Sequence, residues 1–214
     1  RLIILEDDCL PSVSFFRFCD EMLHQFEDDE RIMMVSGYNA TGAWRAKKQD
    51  YFFSNTGGIW GWATWNRAWQ LYYNEMLGLA ELVFTGFFRK TLGHQLGALR
   101  ERQFLQALSG EDSWDYKWAF ARNSRQRLAV VPSKSLVENI GFGDSATNTR
   151  VSPRLHPVLA TELEFPLRPN LRVTADSKYD RSFFPGRLRR GLRALDRYIG
   201  NRFRELNLQG RERH

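Results

Sequence analysis

The chain has 214 residues, of which 43% are apolar and 14% aromatic, so it can bury a core and is not a wholly disordered protein. Its formal charge of +6 would suit a nucleic-acid-binding protein, but nine arginines against three acids in residues 185–214 account for the whole excess. The rest of the chain is balanced, and we therefore expect no nucleic-acid partner.

The first predicted element is a short strand. Leu2 to Leu5 form a continuous apolar run directly after Arg1, a pattern typical of a strand that is buried in a parallel sheet. Because such a strand needs neighbours on both sides, we expect that preceding sequence, and with it part of the sheet, is missing from this chain.

Three consecutive carboxylates, Glu6, Asp7 and Asp8, follow this strand. Clustered like charges raise one another's pKa unless a cation is present, and Mg²⁺ and Mn²⁺ prefer oxygen ligands. Open α/β sheets also bind ligands beyond the carboxyl ends of their strands. The pattern therefore favours a divalent metal site, with a solvated acidic turn as the alternative.

A helix and two further strands are predicted next. Residues 15–26 carry apolar side chains at helical spacing, and the apolar runs at 32–35 and 51–53 predict strands. The resulting order, β-α-β-β, indicates an α/β fold.

A tryptophan-rich stretch follows. Trp62, Trp65 and Trp69 recur at intervals of three and four, which predicts a loop that enters an amphipathic helix. Core packing would account for some of these rings. Gly61, between Trp60 and Trp62, would permit the backbone to approach a ligand closely.

The second half of the compact domain is predicted to be helix followed by strand. Residues 77–108 are mostly helical with scattered glycines, a helix runs from the acidic segment that contains Asp112 and Asp115 to about residue 124, and 128–131 form a strand. Asp115 is a candidate general base, with Asp112 as the second choice. A carboxylate that only stabilises the first helical turn is the alternative reading of Asp115.

The C-terminal part divides into two segments. Residues 151–185 contain five of the seven prolines and predict an irregular extension that wraps the surface. Residues 186–214 place a Leu, Ile and Phe stripe on one helical face and arginines on the others, which predicts a basic amphipathic helix. Such a helix could contact anionic lipid or dock on a protein surface, and we favour docking.

Residues 3–16 resemble the acidic metal-binding motif and following helix of GT-A glycosyltransferases, in particular N-acetylglucosaminyltransferase I and its bacterial relatives. The likeness rests on Glu6, Asp7 and Asp8 ahead of Pro11 and two adjacent phenylalanines. The resemblance implies that Asp8 ligates the metal that holds the donor diphosphate. It implies that Glu6 and Asp7 lie towards the donor's ribose and sugar.

Two later stretches extend the resemblance in the same order. Trp60, Gly61 and Trp62 are similar to the family's loop beneath the transferred sugar, and Trp114 with Asp115 resembles the segment that supplies the base. A glycine-rich loop at 141–144 is also similar to a late loop of the family. Related bacterial sequences tend to carry a histidine shortly afterwards, where this chain has Asn148, so a metal or donor contact there is not expected.

The resemblance implies a GT-A-type mixed sheet flanked by helices, with residues 1–150 as its metal and acceptor part. It implies an enzyme that transfers a sugar, with inversion, from a nucleotide-diphosphate donor to a glycan, lipid-linked or protein acceptor, with Mn²⁺ or Mg²⁺ as cofactor. Because no glycine-rich phosphate loop precedes the acids, we expect this chain alone to bind donor weakly and not to turn over.

Two other classes remain open. A non-catalytic carbohydrate-binding or interaction remnant would use the aromatic loop without chemistry. A metal-dependent phosphodiesterase would need further His or Asp ligands, which the sequence does not place near the acids.

The predicted compartment is the cytoplasm. Cys9 and Cys19 are too few and too close in sequence to suggest a disulfide framework, and neither a charged-then-apolar leader nor a run of about 18 apolar residues is present. Membrane association at the cytoplasmic face through residues 186–214 is the alternative.

Overall fold

A computed structural model describes residues 1–72, 76–109, 114–141 and 158–182. These residues form a mixed α/β fold with a five-stranded mixed sheet, a two-stranded sheet and packed helices, which confirms the predicted α/β class. The described strands are β1 (Leu2–Ile4), β2 (Cys9–Pro11), β3 (Ile32–Ser36), β4 (Tyr51–Ser54), β5 (Trp62–Thr64), β6 (Leu128–Pro132) and β7 (Val137–Asn139). The described helices are α1 (Val13–Gln25), α2 (Asn66–Trp69), α3 (Leu79–Phe84), α4 (Phe87–Leu92), α5 (His94–Leu108), α6 (Trp114–Asn123) and α7 (Ser177–Ser182).

The large sheet has the strand order β1-β5-β3-β6-β4. β3 and β6 run parallel, whereas β5 is antiparallel to both β1 and β3, and β4 is antiparallel to β6. Trp62 in β5 pairs with Ile4 on one side and with Ser36 on the other. The register therefore places the last residue of β1, two positions before the first acid, beside the first residue of β5.

The expectation that the first strand is a buried parallel strand is wrong. β1 pairs antiparallel with β5 and lies at the edge of the described sheet, with Leu2 54% and Ile3 39% exposed. A continuous apolar run indicates that a segment is hydrophobic, but it does not indicate which strands lie beside it or in which direction they run.

The expectation of a helix from Trp62 onwards is also wrong in its first part. Residues 62–64 form β5, and only Asn66–Trp69 are helical. Trp62, Trp65 and Trp69 have the spacing of a helical face, yet a three-residue strand is too short to show alternation in the sequence. Its partners, β1 and β3, lie far away along the chain, so local spacing cannot reveal the pairing.

Helix α1 packs its apolar face against β3 and β5. Phe15, Phe18 and Cys19 are fully buried, as the helical spacing predicts. The first N–H groups of α1 are capped by a residue that is remote in sequence. The Glu162 carboxylate accepts hydrogen bonds from the amides of residues 13 and 14 at 3.1 and 2.8 Å.

The predicted helical region at 77–108 is confirmed, and its glycines mark the breaks. Gly78, Gly86 and Gly93 have φ of +79°, +65° and +83°, a conformation that favours glycine, and each directly precedes a helix. α3, α4, α5 and α6 share a second core cluster around Phe88 and Phe104. This cluster holds α5 beside α6, the helix that begins with Trp114.

The segment 158–182 lies along the sheet. Arg168 donates hydrogen bonds to both carboxylate oxygens of Asp50 at 2.6 and 3.1 Å, and Asp176 accepts from Trp44 Nε1 at 3.0 Å. Leu163 and Tyr179 are buried in the main core cluster.

Several predicted features lie outside the described residues, namely Asp112, the loop positions after residue 141, and the basic amphipathic helix at 186–214. Among the described helices, none combines the length and hydrophobicity that crossing a bilayer would require.

Candidate functional site

The acidic triplet lies in a tight turn between β1 and β2. The amide of Cys9 donates to the carbonyl of Glu6 at 3.1 Å, which closes the turn. β2 then pairs antiparallel with β7, with Cys9 opposite Asn139. This pairing brings the residues after β7 onto Asp8, because the Ile140 amide donates to the Asp8 carbonyl at 2.8 Å.

Asp8 has contacts on both of its carboxylate oxygens. Asn139 Nδ2 donates to Oδ2 at 3.2 Å, and Cys9 Sγ lies 3.6 Å from Oδ1. Gly141 lies against the same carboxylate, since a Cβ on this residue would fall on Oδ2 and 2.9 Å from Cγ. The orientation of Asp8 is therefore set by β7 and the loop that follows it.

The donor set suits a hard divalent cation. One ligand atom each from Glu6, Asp8 and Cys9 lie within 4.8 Å of one another, while Asp7 is exposed. The carboxylate oxygens are of the kind that Mg²⁺ and Mn²⁺ prefer. Burial, helped by the negative charges of Asp8 and Glu6, raises the pKa of Cys9 to about 11, so its sulfur remains a protonated hydrogen-bond donor to Asp8.

Electrostatics connects these acids with Asp115. The pKa of Glu6 is raised, first by burial and then by the charges of Asp8, Asp115 and Asp7. Asp115 is therefore close enough to Glu6 for its charge to be felt there. The charge of the predicted base thus reaches Glu6, two positions before the predicted metal ligand Asp8, although Asp115 is more than 100 residues away in the sequence.

Asp115 lies in the first turn of α6 and is half-buried. Burial raises its pKa, while hydrogen bonding to the Tyr116 amide and the positive charge of Arg100 act in the opposite direction. A carboxylate with a raised pKa is a stronger base than an exposed one, and this suits proton abstraction from a hydroxyl.

The tryptophans position α6. The Trp62 ring stacks on Trp114 with centroids 5.9 Å apart and an interplanar angle of 22°, and it lies 5.4 Å from Trp118. Trp62 itself is only 1% exposed. Its side chain is core, and it holds the start of α6, with Asp115, against the strand that neighbours β1.

Trp60 and Gly61 differ from Trp62 in their surroundings. Trp60 is half-buried and packs edge-on against Tyr38, with ring centroids 4.6 Å apart. Gly61 has φ of +64°, and a Cβ there would lie 2.6 Å from Val137 Cγ2. A close approach to other protein atoms is therefore sufficient to explain this glycine, whereas Trp60 is half-buried and lies beside Tyr38.

Sequence reasoning missed Asn139 and Arg100 as parts of the site, and it singled out Gly141 only through the resemblance of the loop at 141–144, not as a neighbour of Asp8. Asn139 and Gly141 reach Asp8 only through the pairing of β2 with β7, and both strands have three residues, which is too short for a recognisable pattern. Arg100 lies in the middle of α5, where an arginine is an ordinary surface residue, so no sequence signal marks it.

Comparison of the sequence with protein-family models and with curated proteins finds no match in either case.

Proposed function

We propose that this chain carries the metal-binding and acceptor-activating part of a metal-dependent, inverting glycosyltransferase with a GT-A-type fold. One observation carries the proposal: the charge of Asp115, at the start of a helix, reaches Glu6, which clusters with Asp8 after an edge strand. The donor would be a nucleotide-diphosphate sugar, and the acceptor a glycan, a lipid-linked molecule or a protein.

The arrangement supports different roles for the carboxylates, metal binding and proton abstraction. Asp8, with Glu6 beside it, would hold Mn²⁺ or Mg²⁺. When bound, such an ion neutralises the negative charge that develops on the departing diphosphate. Asp115 would take the proton from the acceptor hydroxyl while that oxygen forms the new bond to the anomeric carbon and the bond to the phosphate oxygen breaks.

The aromatic side chains support the same proposal. Trp60 and Tyr38, both half-buried, form an aromatic corner. Flat rings of this kind bind the apolar faces of sugars. Asp7, which is exposed beside the metal ligands, would lie towards the donor.

Metal binding is the first test, because it does not require a donor. Titration of the 214-residue chain with Mn²⁺, followed by the electron paramagnetic resonance signal of free Mn²⁺, is expected to show one site. Asp8→Asn should abolish it, whereas Asp20→Asn, which changes an exposed acid on α1, should not. Equal binding by wild type and Asp8→Asn would contradict the proposal.

Activity is the second test. Release of nucleoside diphosphate from UDP- and GDP-sugars is measured for wild type and variants of the chain extended by any coding sequence upstream of Arg1, with the 214-residue chain, for which no turnover is expected, as the reference. Asp115→Asn should lower the rate and leave Mn²⁺ binding intact, whereas Asp8→Asn should lower both. Unchanged rates in both variants would reject an enzyme, and sugar binding without release would favour a carbohydrate-binding protein.

A further inference from the structure

A cavity of about 200 Å³ includes Tyr38 of the proposed aromatic corner, and its other lining residues have no role in the proposed sugar transfer. Its walls combine aromatic, glycine and cationic groups. They include Tyr38, Gly57, Gly58, Leu96, Arg100 and Tyr179.

Arg100 contributes the cation that lines the cavity. It projects from α5, and its Nη1 donates to Gln103 Oε1 at 2.9 Å. Its Nε is buried and has no hydrogen-bond partner within the described part of the chain. A buried guanidinium N–H without an acceptor is unfavourable, because its desolvation is not compensated.

A second guanidinium lies directly behind the cavity wall. Arg122 is 1% exposed, and a Cβ on Gly57 would lie 3.6 Å from its Nη2. Its Nε and Nη1 are also buried without a partner among the residues that the structure describes. Burial, together with the positive charge of Arg100, lowers the pKa of Arg122 to about 9, which shows that the two cations feel each other.

Asp180 is the carboxylate whose charge reaches both arginines. It is 3% exposed and accepts hydrogen bonds from Ser54 Oγ at 2.5 Å and Asn55 Nδ2 at 2.9 Å. Both carboxylate oxygens of Asp180 therefore already accept hydrogen bonds from residues at the end of β4. Burial raises the pKa of Asp180. The charge of Asp115 also affects the pKa of Arg100, but it is not among the charges that shift the pKa of Arg122.

At the cavity, one buried guanidinium nitrogen of Arg100 thus lacks an acceptor among the described residues, and behind its wall two of Arg122 lack one as well. We propose that this cavity binds an oxyanion group, a carboxylate or a phosphate, with Arg100 as the direct contact and Arg122 supporting it from behind Gly57. Guanidinium groups pair with such anions through short, charge-assisted hydrogen bonds.

The neighbouring groups indicate where the anion comes from. Arg100 lies within electrostatic reach of Asp115, so the anion would belong to the acceptor whose hydroxyl Asp115 activates; this step rests on the proposed function. Tyr38, Leu96 and Tyr179 add apolar walls, which suit an acidic sugar ring better than a free ion.

The test is isothermal titration of the metal-free 214-residue chain, at constant ionic strength, with sodium phosphate, glucuronate and, as the neutral control, glucose. We expect an anion to bind and glucose not to bind. Arg100→Gln should weaken binding about tenfold or more, and Arg100→Lys should restore it only in part. Arg102→Gln, an exposed arginine on the same helix, should bind as wild type does.

The two anions distinguish the sources. Binding of glucuronate but not phosphate identifies an acidic sugar, and the reverse identifies a phosphorylated group. Absence of binding for both anions, or equal weakening by Arg100→Gln and Arg102→Gln, would overturn the proposal. Should Arg100→Gln fail to fold, the Nε–Hε resonances of Arg100 and Arg122 in the wild-type chain decide, because they must shift on addition of the anion.

Failure of this site is distinguishable from failure of the proposed function. Anion binding is measured without metal, and Mn²⁺ binding is measured without anion. Binding of Mn²⁺ through Asp8 without binding of any anion would support the metal site and contradict the anion site. The opposite result leaves an anion site on a chain that is not a metal-dependent transferase.

Discussion

At the scale of single residues, the position of Asp8 depends on a glycine that is remote in sequence. Gly141 lies so close to the Asp8 carboxylate that a methyl group would displace it. We therefore expect Gly141→Ala to weaken Mn²⁺ binding about tenfold or more, the usual effect of disturbing a group that orients a ligand. The melting temperature should change little, since residue 141 is only half-buried.

The matched control is the neighbouring residue. Ile140 is 53% exposed, and its contact with Asp8 comes from the backbone, so Ile140→Ala should bind Mn²⁺ as wild type does. Wild-type affinity in Gly141→Ala would show that the loop after β7 does not orient Asp8.

Glu6 should make the metal-free chain less stable as the pH rises. Its pKa is higher in the folded chain than in the unfolded chain, because of burial and the charges of Asp8, Asp115 and Asp7. The folded state therefore holds the proton more tightly. This contribution is fully present below the unfolded-state pKa of about 4.3 and is lost as the pH rises through the folded pKa.

Urea unfolding between pH 4 and pH 7, in roughly one-unit steps, measures this effect. Glu6→Gln should be more stable than wild type at the upper end and should show a smaller loss of stability with pH. The exposed Glu164→Gln should follow wild type. Addition of Mn²⁺ should reverse the difference, because the cation favours the charged carboxylate. A pH dependence identical in wild type and Glu6→Gln would contradict the electrostatic account.

The sequence was sufficient to propose Asp8 and Asp115 but not the groups that orient them. Adjacent acids after an apolar run, and an acid between two tryptophans, are local patterns that a reader of the sequence can see. The contact of Asn139 with Asp8 spans 131 positions and depends on the register of two short strands. Register is a property of the pairing, and no local composition encodes it.

At the scale of elements, Trp62 connects the sheet to the helix that carries Asp115. The ring is buried between Trp114 and Trp118 of α6. Trp62→Ala should therefore lower the free energy of unfolding by about 3–5 kcal/mol, as expected for removal of a large buried ring. Trp62→Phe should cost less, since Trp62 Nε1 makes no hydrogen bond within the described residues that could be lost.

Urea unfolding measures both changes, and Trp69→Ala is the matched control. Trp69 contacts Trp62 and Trp118 but is 37% exposed, so its removal should cost less than that of Trp62. Equal destabilisation by Trp62→Ala and Trp69→Ala would show that the stack is not the connection between β5 and α6.

Elements with a long periodic pattern were predictable, and short ones that depend on remote partners were not. Phe15 to Phe26 repeat at helical spacing over more than three turns, and α1 lies where that repeat predicts it. The prediction failed for the three residues of β5. The tryptophan spacing that suggests a helix arises there from a strand, one intervening residue and a short helix in succession. These residues form a strand because they pair with β1 and β3, and the local spacing does not reveal those partners.

At the scale of the whole molecule, the segment 158–182 packs against β4 and helps to close the core. Its composition, with prolines and few apolar runs, gives no indication of burial. Its attachment comes instead from dispersed contacts, such as the ion pair of Arg168 with Asp50 and the carboxylate of Glu162 at the start of α1. Such contacts are invisible in the sequence because each joins positions more than 100 residues apart.

Tyr179 makes this segment part of the cooperative unit. Its ring packs edge-on against Phe52 with centroids 4.5 Å apart, its hydroxyl accepts from the Ala40 amide at 3.2 Å, and the residue is 1% exposed. Tyr179→Ala should therefore lower the free energy of unfolding of the whole chain by about 3–5 kcal/mol. Leu171, which is 89% exposed in the same segment, provides the control, and Leu171→Ala should have almost no effect.

Urea unfolding followed by both tryptophan fluorescence and far-ultraviolet circular dichroism separates the two outcomes for Tyr179→Ala. If the segment belongs to the folding unit, both signals shift together to lower urea as one transition, because the core cluster that contains Phe52 and Tyr179 also contains Trp62 and α1. If the segment is a peripheral strap, the main transition stays where wild type has it. That second outcome would mean that the sheet and its acid cluster are stable without residues 158–182.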